Sequence, residues 1–231
     1  MKKGGEQTRE STSIGFEKML AWLMVEAIYG RAHFIITKGL KRADPIVLKT
    51  APKFFEHTLG ALADSVALHV ARLFDQRSGS ISIYALLSLA EKHAGAFKHG
   101  SAAEVRKFVS EAKRRVRGLE NALEGVRCRR HETLAHSDPR AIVDRKRIEL
   151  KGRVSFNEFE NLFEETGSIL NRLFLLYHGA SVPLDLDGVK DYEQALDLIA
   201  DAMCEQASRY EAEHKVPAPF PRPRKCPDRS D

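Results

Sequence analysis

The segment 127-RCRRHETLAHSDP-139 is the part of the chain best suited to chemistry, because three arginines and two histidines lie close together in it. An imidazole exchanges protons near neutral pH, and a guanidinium can hold a phosphate through two parallel hydrogen bonds. These two groups suffice to cleave RNA without a metal: one takes a proton from a ribose 2′-OH and the other stabilises charge on phosphorus. The segment therefore predicts phosphate chemistry, with a merely charged helix end as the alternative.

The two histidines do not have the spacing of a metal site. Zinc ligands on one helix stand at positions i and i+4. His131 and His136 are five residues apart, which points them about 140° away from each other on a helix. A serine hydrolase is excluded as well, since the chain has no G-x-S-x-G element. No metal and no cofactor are predicted.

Helical geometry constrains which arginine can work with His136. Arg130 and His136 are separated by about 240° around a continuous helix, whereas Arg129 is nearly aligned with His136. Either the helix ends before His136 or a second copy of the chain completes the site. Pro139 favours early termination, because the residue before a proline avoids helical geometry.

The charge distribution suggests a polyanionic partner. The net charge is +5 over 231 residues, but between Arg106 and Arg153 there are 15 Lys/Arg and only 7 Asp/Glu. Such a basic region is typical of proteins that bind phosphate-bearing molecules, although a solvated helix face is an equal alternative. Three scattered cysteines predict neither a disulfide framework nor a zinc cage, and hence a cytoplasmic protein. The longest apolar run, Met19–Val25, predicts no membrane span.

Apolar periodicity predicts an all-α bundle of five to seven helices. We expect a helical domain over residues 14–215, between a disordered start (1–13) and a disordered Pro/Arg-rich tail (216–231). Gly39 and Asp44-Pro45 are read as the end of the first helix, Ser101 and Ser155 as capping boxes, Gly118 as a break, and Lys151-Gly152 as a hairpin. An apolar stripe from Val105 to Val126 motivates a dimer.

Three further side chains have alternative interpretations. Arg72 and Asp75 are i and i+3 on one helix, so a local ion pair is favoured over a helper role for Arg72 beside the site. Asp64 is expected to bond a neighbouring helix. Trp22 and the phenylalanines are expected in the core.

The segment 130-RHETLAHSD-138 resembles the signature of the HEPN superfamily, an arginine followed by a polar residue and then by a histidine four to six residues beyond the arginine. The segment 62-LADSVALHVARLFD-75 is similar to a helix of the abortive-infection AbiU-type branch. The resemblance covers roughly residues 14–180. Glu132 departs from it, because that branch often has a basic residue there.

The resemblance implies a HEPN-like helical bundle and a phage-defence or toxin-like ribonuclease that works as a homodimer. Arg130 would stabilise the scissile phosphate, His136 would be general base or acid, and His131 would assist. Arg129, Arg127 and Arg72 are the expected RNA- or phosphate-binding residues. The expected products carry 2′,3′-cyclic phosphate and 5′-hydroxyl ends.

Other classes of function stay open on the sequence. The first alternative is a non-catalytic module of the same fold that binds a nucleotide or a protein partner, and the second is a helical scaffold without a nucleic-acid role. An antitoxin protein is a possible partner, and no membrane partner is predicted.

Overall fold

The protein is all-helical throughout the residues that the computed structural model describes, which are 4–130, 153–184 and 188–226, with side chains from residue 15 onward. These residues contain eight α-helices, one 3-10 turn (Ala94–Ala96) and no strand. The helices are α1 (Gly4–Arg42), α2 (Pro45–Leu48), α3 (Pro52–Leu73), α4 (Ile83–Lys92), α5 (Ala102–Gly118), α6 (Glu120–Arg129), α7 (Phe156–His178) and α8 (Asp191–His214). The predicted all-α bundle is confirmed. The hairpin predicted at Lys151-Gly152 lies outside the described residues.

Helix α2 was not predicted from the sequence. It begins at Asp44-Pro45, which the sequence analysis interprets as the end of the first helix. The Asp44 side chain accepts a hydrogen bond from the backbone N–H of Ile46, and Pro45 occupies the first helical position. An N-cap aspartate followed by proline is also how helices begin. Gly39 does not end α1, which continues to Arg42; its missing Cβ makes room for the Tyr192 ring.

Of three predicted local features, the capping box at Ser155 and the break at Gly118 are present, whereas the capping box at Ser101 is incomplete. Ser155 forms a complete capping box with Glu158, and the Ser101 side chain accepts from the backbone N–H of Glu104. The Glu104 carboxylate, however, accepts a hydrogen bond from Arg172 at 2.6 Å. The predicted break near Gly118 is confirmed, since α5 ends there.

The chain divides into two compact units, one formed by Met1–Arg31 with Asp64–Asp185 and the other by Ala32–Ala63 with Leu186–Asp231. The large fully buried side chains belong to the first unit: Leu20, Leu23, Leu73, Ile83, Leu86, Leu87, Leu123, Leu162, Ile169, Leu170, Leu173 and Leu176. At Gly30 of α1, an added Cβ would lie 2.8 Å from the Cβ of His69 and 2.9 Å from the Phe163 ring. This glycine therefore allows α1, α3 and α7 to approach closely.

The apolar stripe on α5 and α6 is part of this core. Val105, Val109, Ala112, Val116, Leu123 and Val126 are each at most 2% exposed. The stripe is covered by the chain's own helices. It therefore offers no surface to a second chain and does not support the predicted dimer. The prediction that Trp22 and the phenylalanines are core residues is wrong for Trp22 and Phe54, which are 38% and 64% exposed.

Helix α1 has an exposed apolar face instead. Trp22, Val25 and Tyr29 are 38%, 50% and 49% exposed, and their spacing places them on one side of the helix. Among the described residues, the stretch Gly15–Arg42 is long and apolar enough to cross a membrane by length and composition, although the run Met19–Val25 predicted no span. Core helices meet the same criterion, and Leu20 and Leu23 of this stretch are buried.

The second unit contains a disulfide between Cys204 of α8 and Cys226, whereas the sequence interpretation expected no disulfide framework. Residues 216–226 also contact α8 through ion pairs of Arg222 with Glu211 and of Lys225 with Asp197 and Asp201. Residues 227–231 lie outside the described residues, and the predicted domain boundaries stay predictions.

The disulfide leads to a thiol count that can be measured. In protein purified without reductant and then denatured, we expect one thiol, that of Cys128, to react with maleimide, and three after reduction. Cys204→Ser should lower thermal stability, because the disulfide closes a 22-residue loop, which the chain-entropy model values at about 3 kcal/mol. Cys128→Ser is the control that keeps the bond. Three reactive thiols in the unreduced protein would contradict the assignment.

Candidate active site at the end of helix α6

Helix α6 places Arg127, Arg129 and Arg130 at the end of the first unit's core. The helix is anchored on its apolar side by Leu123 and Val126, which are buried. Arg130 is the C-cap residue and keeps helical geometry, with φ −60° and ψ −48°. His131 and His136 lie outside the described residues, so their predicted roles stay predictions.

Two consecutive arginines connect α6 to α3. A terminal nitrogen of the Arg129 guanidinium donates a 2.7 Å hydrogen bond to the Asp64 carboxylate, and a terminal nitrogen of Arg130 lies 3.8 Å from the Asp75 carboxylate. Both aspartates belong to the 62–75 segment that was singled out in the sequence. The expectation that Asp64 bonds a neighbouring helix is confirmed, and the end of α6 is fixed at two points.

The local ion pair expected between Arg72 and Asp75 is wrong. Arg72 pairs instead with Glu26 of α1 at 3.6 Å, and Glu26 also lies 2.7 Å from the Nδ1 atom of His69. Asp75 lies two residues beyond Leu73, the last residue of α3, and its carboxylate accepts hydrogen bonds from Arg77 instead. Arg72 therefore supports the α1–α3 packing and does not line the pocket beside Arg130.

Asp75 is held by a residue that the sequence interpretation missed, Arg77. The backbone N–H of Arg77 donates to Asp75 at 3.0 Å, and its Nε donates at 2.9 Å. The hydrogen bond from the Arg77 side chain is the largest cause that lowers the pKa of Asp75; burial opposes it, and the charge of Arg130 adds to the lowering. An aspartate bonded to the N–H two residues later is a common turn, so the Asp75-Gln76-Arg77 sequence did carry a signal.

A surface pocket of about 280 Å³ lies beside these residues. Its lining consists of three arginines, one aspartate, one glutamine and two apolar residues: Arg77, Arg127, Arg130, Asp75, Gln76, Ala71 and Phe74. The three guanidiniums in one wall can bind an oxyanion. The structure thus brings together two of the predicted site residues, Arg127 and Arg130.

Two glutamates of α6 hold the Arg127 side chain. One terminal nitrogen donates to Glu120 at 2.6 Å and to Glu124 at 3.2 Å, and the bond to Glu120 is the main cause that raises the pKa of Arg127. Its second terminal nitrogen, Nη2, is buried and has no hydrogen-bond partner among the described residues.

No group of three or more His, Cys, Asp and Glu side chains within the described part of the chain could hold a metal ion. Because both histidines of the candidate site lie outside that part, the prediction of a metal-free site stays a prediction.

The lowered pKa of Asp75 gives a pH-dependent contribution to stability. A carboxylate whose pKa is lower in the folded state stabilises the fold fully above its ordinary value of 3.8, and this contribution is lost as the pH falls through the folded pKa. Asp75→Asn should therefore melt at a lower temperature than wild type at neutral pH, and the two melting temperatures should converge at acid pH. In an Arg77→Gln background, Asp75→Asn should cost less. A melting difference that is constant from pH 7 to about pH 3 would contradict this account.

The comparisons with known proteins agree with the two segments that define the site. A family model, HEPN_AbiU2 (AbiU2), matches residues 15–198 and so includes both α3 and α6. A search of curated proteins found no match, and neither did a search of solved structures. Because the match spans most of its 231 residues, the chain belongs to the HEPN_AbiU2 family, the abortive-infection AbiU-type branch of the HEPN superfamily.

Proposed function

We propose that this protein is a metal-independent ribonuclease of the HEPN type that acts as a toxin or phage-defence protein. The observation that carries the proposal is the position of Arg130. Its guanidinium lines a pocket together with two more arginines, one residue before the first of the two histidines. Family membership supplies the context, and the pocket supplies the electropositive wall that a phosphodiester needs.

The proposed reaction uses only side chains and the RNA itself. His136 takes the proton of a ribose 2′-OH, and the oxygen attacks the adjacent phosphorus. Arg130 stabilises the negative charge that builds up on the phosphoryl oxygens. The 5′-oxygen leaves with a proton from a general acid, for which a histidine of the site is suited. The products are a 2′,3′-cyclic phosphate and a 5′-hydroxyl, and His131 assists as a polar residue.

The surroundings of the two adjacent arginines favour Arg130 over Arg129 as the catalytic residue. Arg129 already donates a 2.7 Å hydrogen bond to Asp64. The Arg130 guanidinium has an ion-pair partner only at 3.8 Å, and within the described residues it donates no hydrogen bond. Of the two, Arg130 is therefore the better candidate to bind a phosphate, whereas Arg129 serves mainly to hold the end of α6.

A homodimer is part of the proposal, and the exposed apolar face of α1 supports it. Trp22, Val25 and Tyr29 form a surface that a partner chain would cover. An RNA substrate, an antitoxin partner and a cytoplasmic location belong to the same proposal. The first two are what the family resemblance implies; the location was predicted from the lack of a disulfide framework, and the Cys204–Cys226 disulfide speaks against that reason.

Substitution of the two catalytic candidates should abolish most RNA cleavage. We expect Arg130→Ala and His136→Ala each to reduce the rate by about 10²–10⁴-fold, the usual cost of losing a group that acts in proton transfer or charge stabilisation. Arg129→Ala is the matched control on the neighbouring arginine and should be milder in rate. The measurement is cleavage of total RNA by purified protein, with end-group analysis of the products and with EDTA in a parallel series.

The melting temperature of each variant shows whether a lower cleavage rate comes from the loss of a catalytic group or from unfolding. Equal cleavage by wild type and His136→Ala would refute the assigned role of His136, and sensitivity to EDTA would refute the metal-free mechanism. No cleavage by the wild type over a wide range of RNAs would favour the alternative of a non-catalytic module that binds a nucleotide or a partner.

The dimer can be tested on the exposed face of α1. Light scattering at micromolar concentration should give about twice the 26.0 kDa chain mass for wild type. Trp22→Glu should reduce the mass towards that of one chain, because a charge would be buried at the interface. Leu198→Glu is the control, since Leu198 is 70% exposed on α8 and should leave the mass unchanged. A wild-type monomer would contradict the proposal.

A further inference from the structure

We propose that the pocket lined by Arg77, Arg127 and Arg130 is a second phosphate-binding subsite, which holds the RNA phosphate next to the scissile one. This inference rests on the proposed function, because it places the neighbouring nucleotide of the same substrate. Arg77 is its new residue. It lies after α3, outside both segments that resemble the family, and it was not among the predicted site residues.

The arginines that line the pocket have N–H groups that make no hydrogen bond within the described residues. Nη2 of Arg127 is buried without a partner among the described residues, and the Arg130 guanidinium donates no hydrogen bond there. Arg77 donates to Asp75 through Nε and Nη2, while its Nη1 makes no hydrogen bond in the described part of the chain. Arg77 and Arg130 are 73% and 25% exposed, so a phosphate can reach their unused donors, whereas the buried Nη2 of Arg127 is closed to a ligand in this arrangement.

These donors suit a phosphate better than a carboxylate. A carboxylate has two oxygens and is satisfied by one guanidinium fork, as Asp75 already is by Arg77. A phosphate presents more acceptor oxygens and can accept from several guanidiniums at once. Ala71 and Phe74 of the lining offer apolar surface for the carbon atoms of a ribose. A volume of about 280 Å³ leaves room for one phosphate with its sugar, at the lower limit of small-molecule pockets.

The carboxylates near the pocket do not cancel this preference. Asp75 is only 10% exposed and is engaged by Arg77, with Arg130 close by. Glu120 and Glu124 bind the Nη1 atom of Arg127, are 48% and 73% exposed, and are not part of the pocket lining. They orient Arg127 within the pocket lining.

Since Arg130 belongs both to this wall and to the proposed catalytic pair, the subsite adjoins the scissile phosphate. Arg77→Gln should therefore weaken binding of substrates that carry a neighbouring phosphate; it is compared in an Asp75→Asn background, so that no carboxylate released from Arg77 is left to pair with Arg130. We expect KM to rise about tenfold with kcat little changed, which corresponds to the loss of one charge-assisted hydrogen bond.

The experiment compares three dinucleotide substrates: one without terminal phosphates, one with a 5′-phosphate and one with a 3′-phosphate. The wild type should bind one of the two phosphorylated forms more tightly than the bare form, and Arg77→Gln should remove that advantage only. Arg209→Gln is the control, because Arg209 is also exposed (69%, against 73% for Arg77) and also pairs with a nearby acid, Glu205. An equal loss on the bare dinucleotide, or no loss on any, would overturn the subsite.

The same comparison with 2′-deoxy dinucleotides separates this inference from the proposed function, since these analogues bind without being cleaved. If the wild type cleaves no RNA, the ribonuclease proposal fails. The subsite still stands if a terminal phosphate tightens binding of the deoxy dinucleotide in wild type and not in Arg77→Gln. A nucleoside 5′-monophosphate that binds as tightly as the phosphorylated dinucleotide would overturn the assignment to an RNA strand.

Discussion

The attachment of the end of α6 to α3 is the constraint on which the candidate site depends. Arg129 and Arg130 are adjacent in sequence, yet they reach Asp64 and Asp75, which are eleven residues apart on the α3 segment. The partly exposed pairs are each worth little energy, but two of them that diverge from one helix end fix its direction. Because residues 127–130 are held in this way, the pocket wall is formed before any ligand binds. Binding of a substrate then costs little conformational entropy.

The two pairs also separate the tasks of two arginines that the sequence could not rank. Arg129 donates a short hydrogen bond to Asp64, whereas Arg130 lies 3.8 Å from Asp75 and donates no hydrogen bond within the described residues. Asp75 in turn depends on Arg77, which neutralises it and keeps its pKa low. An acid near a phosphate site would normally oppose binding; here its charge is already engaged by two guanidiniums. The same carboxylate thus connects the α3 terminus, the following turn and the end of α6.

Features that depend on neighbouring residues in the sequence could be predicted, and features that depend on distant ones could not. The N-cap of Ser155 and the break at Gly118 follow from local pattern. For Asp64, an acid in an apolar helix, the sequence predicted a bond to another helix but not its partner, Arg129, which lies 65 residues away. The partner of Arg72 is Glu26, which lies on another helix and is invisible to i,i+3 reasoning. Periodicity identified the α5–α6 stripe as apolar, but could not say whether the chain's own helices or a second chain cover it. The pairing of Cys204 with Cys226 is equally non-local.

The central claim is that Arg130 and the following histidines cleave RNA by using its own 2′-OH as the nucleophile. A substrate-side measurement tests this most directly: cleavage of one defined RNA by the wild-type protein, beside the same sequence with 2′-O-methyl groups at every position. The account predicts cleavage of the unmodified strand with 2′,3′-cyclic phosphate ends, and no cleavage of the methylated strand. Cleavage of both strands, or products with 3′-hydroxyl ends, would contradict it, because water and not the ribose would then attack phosphorus.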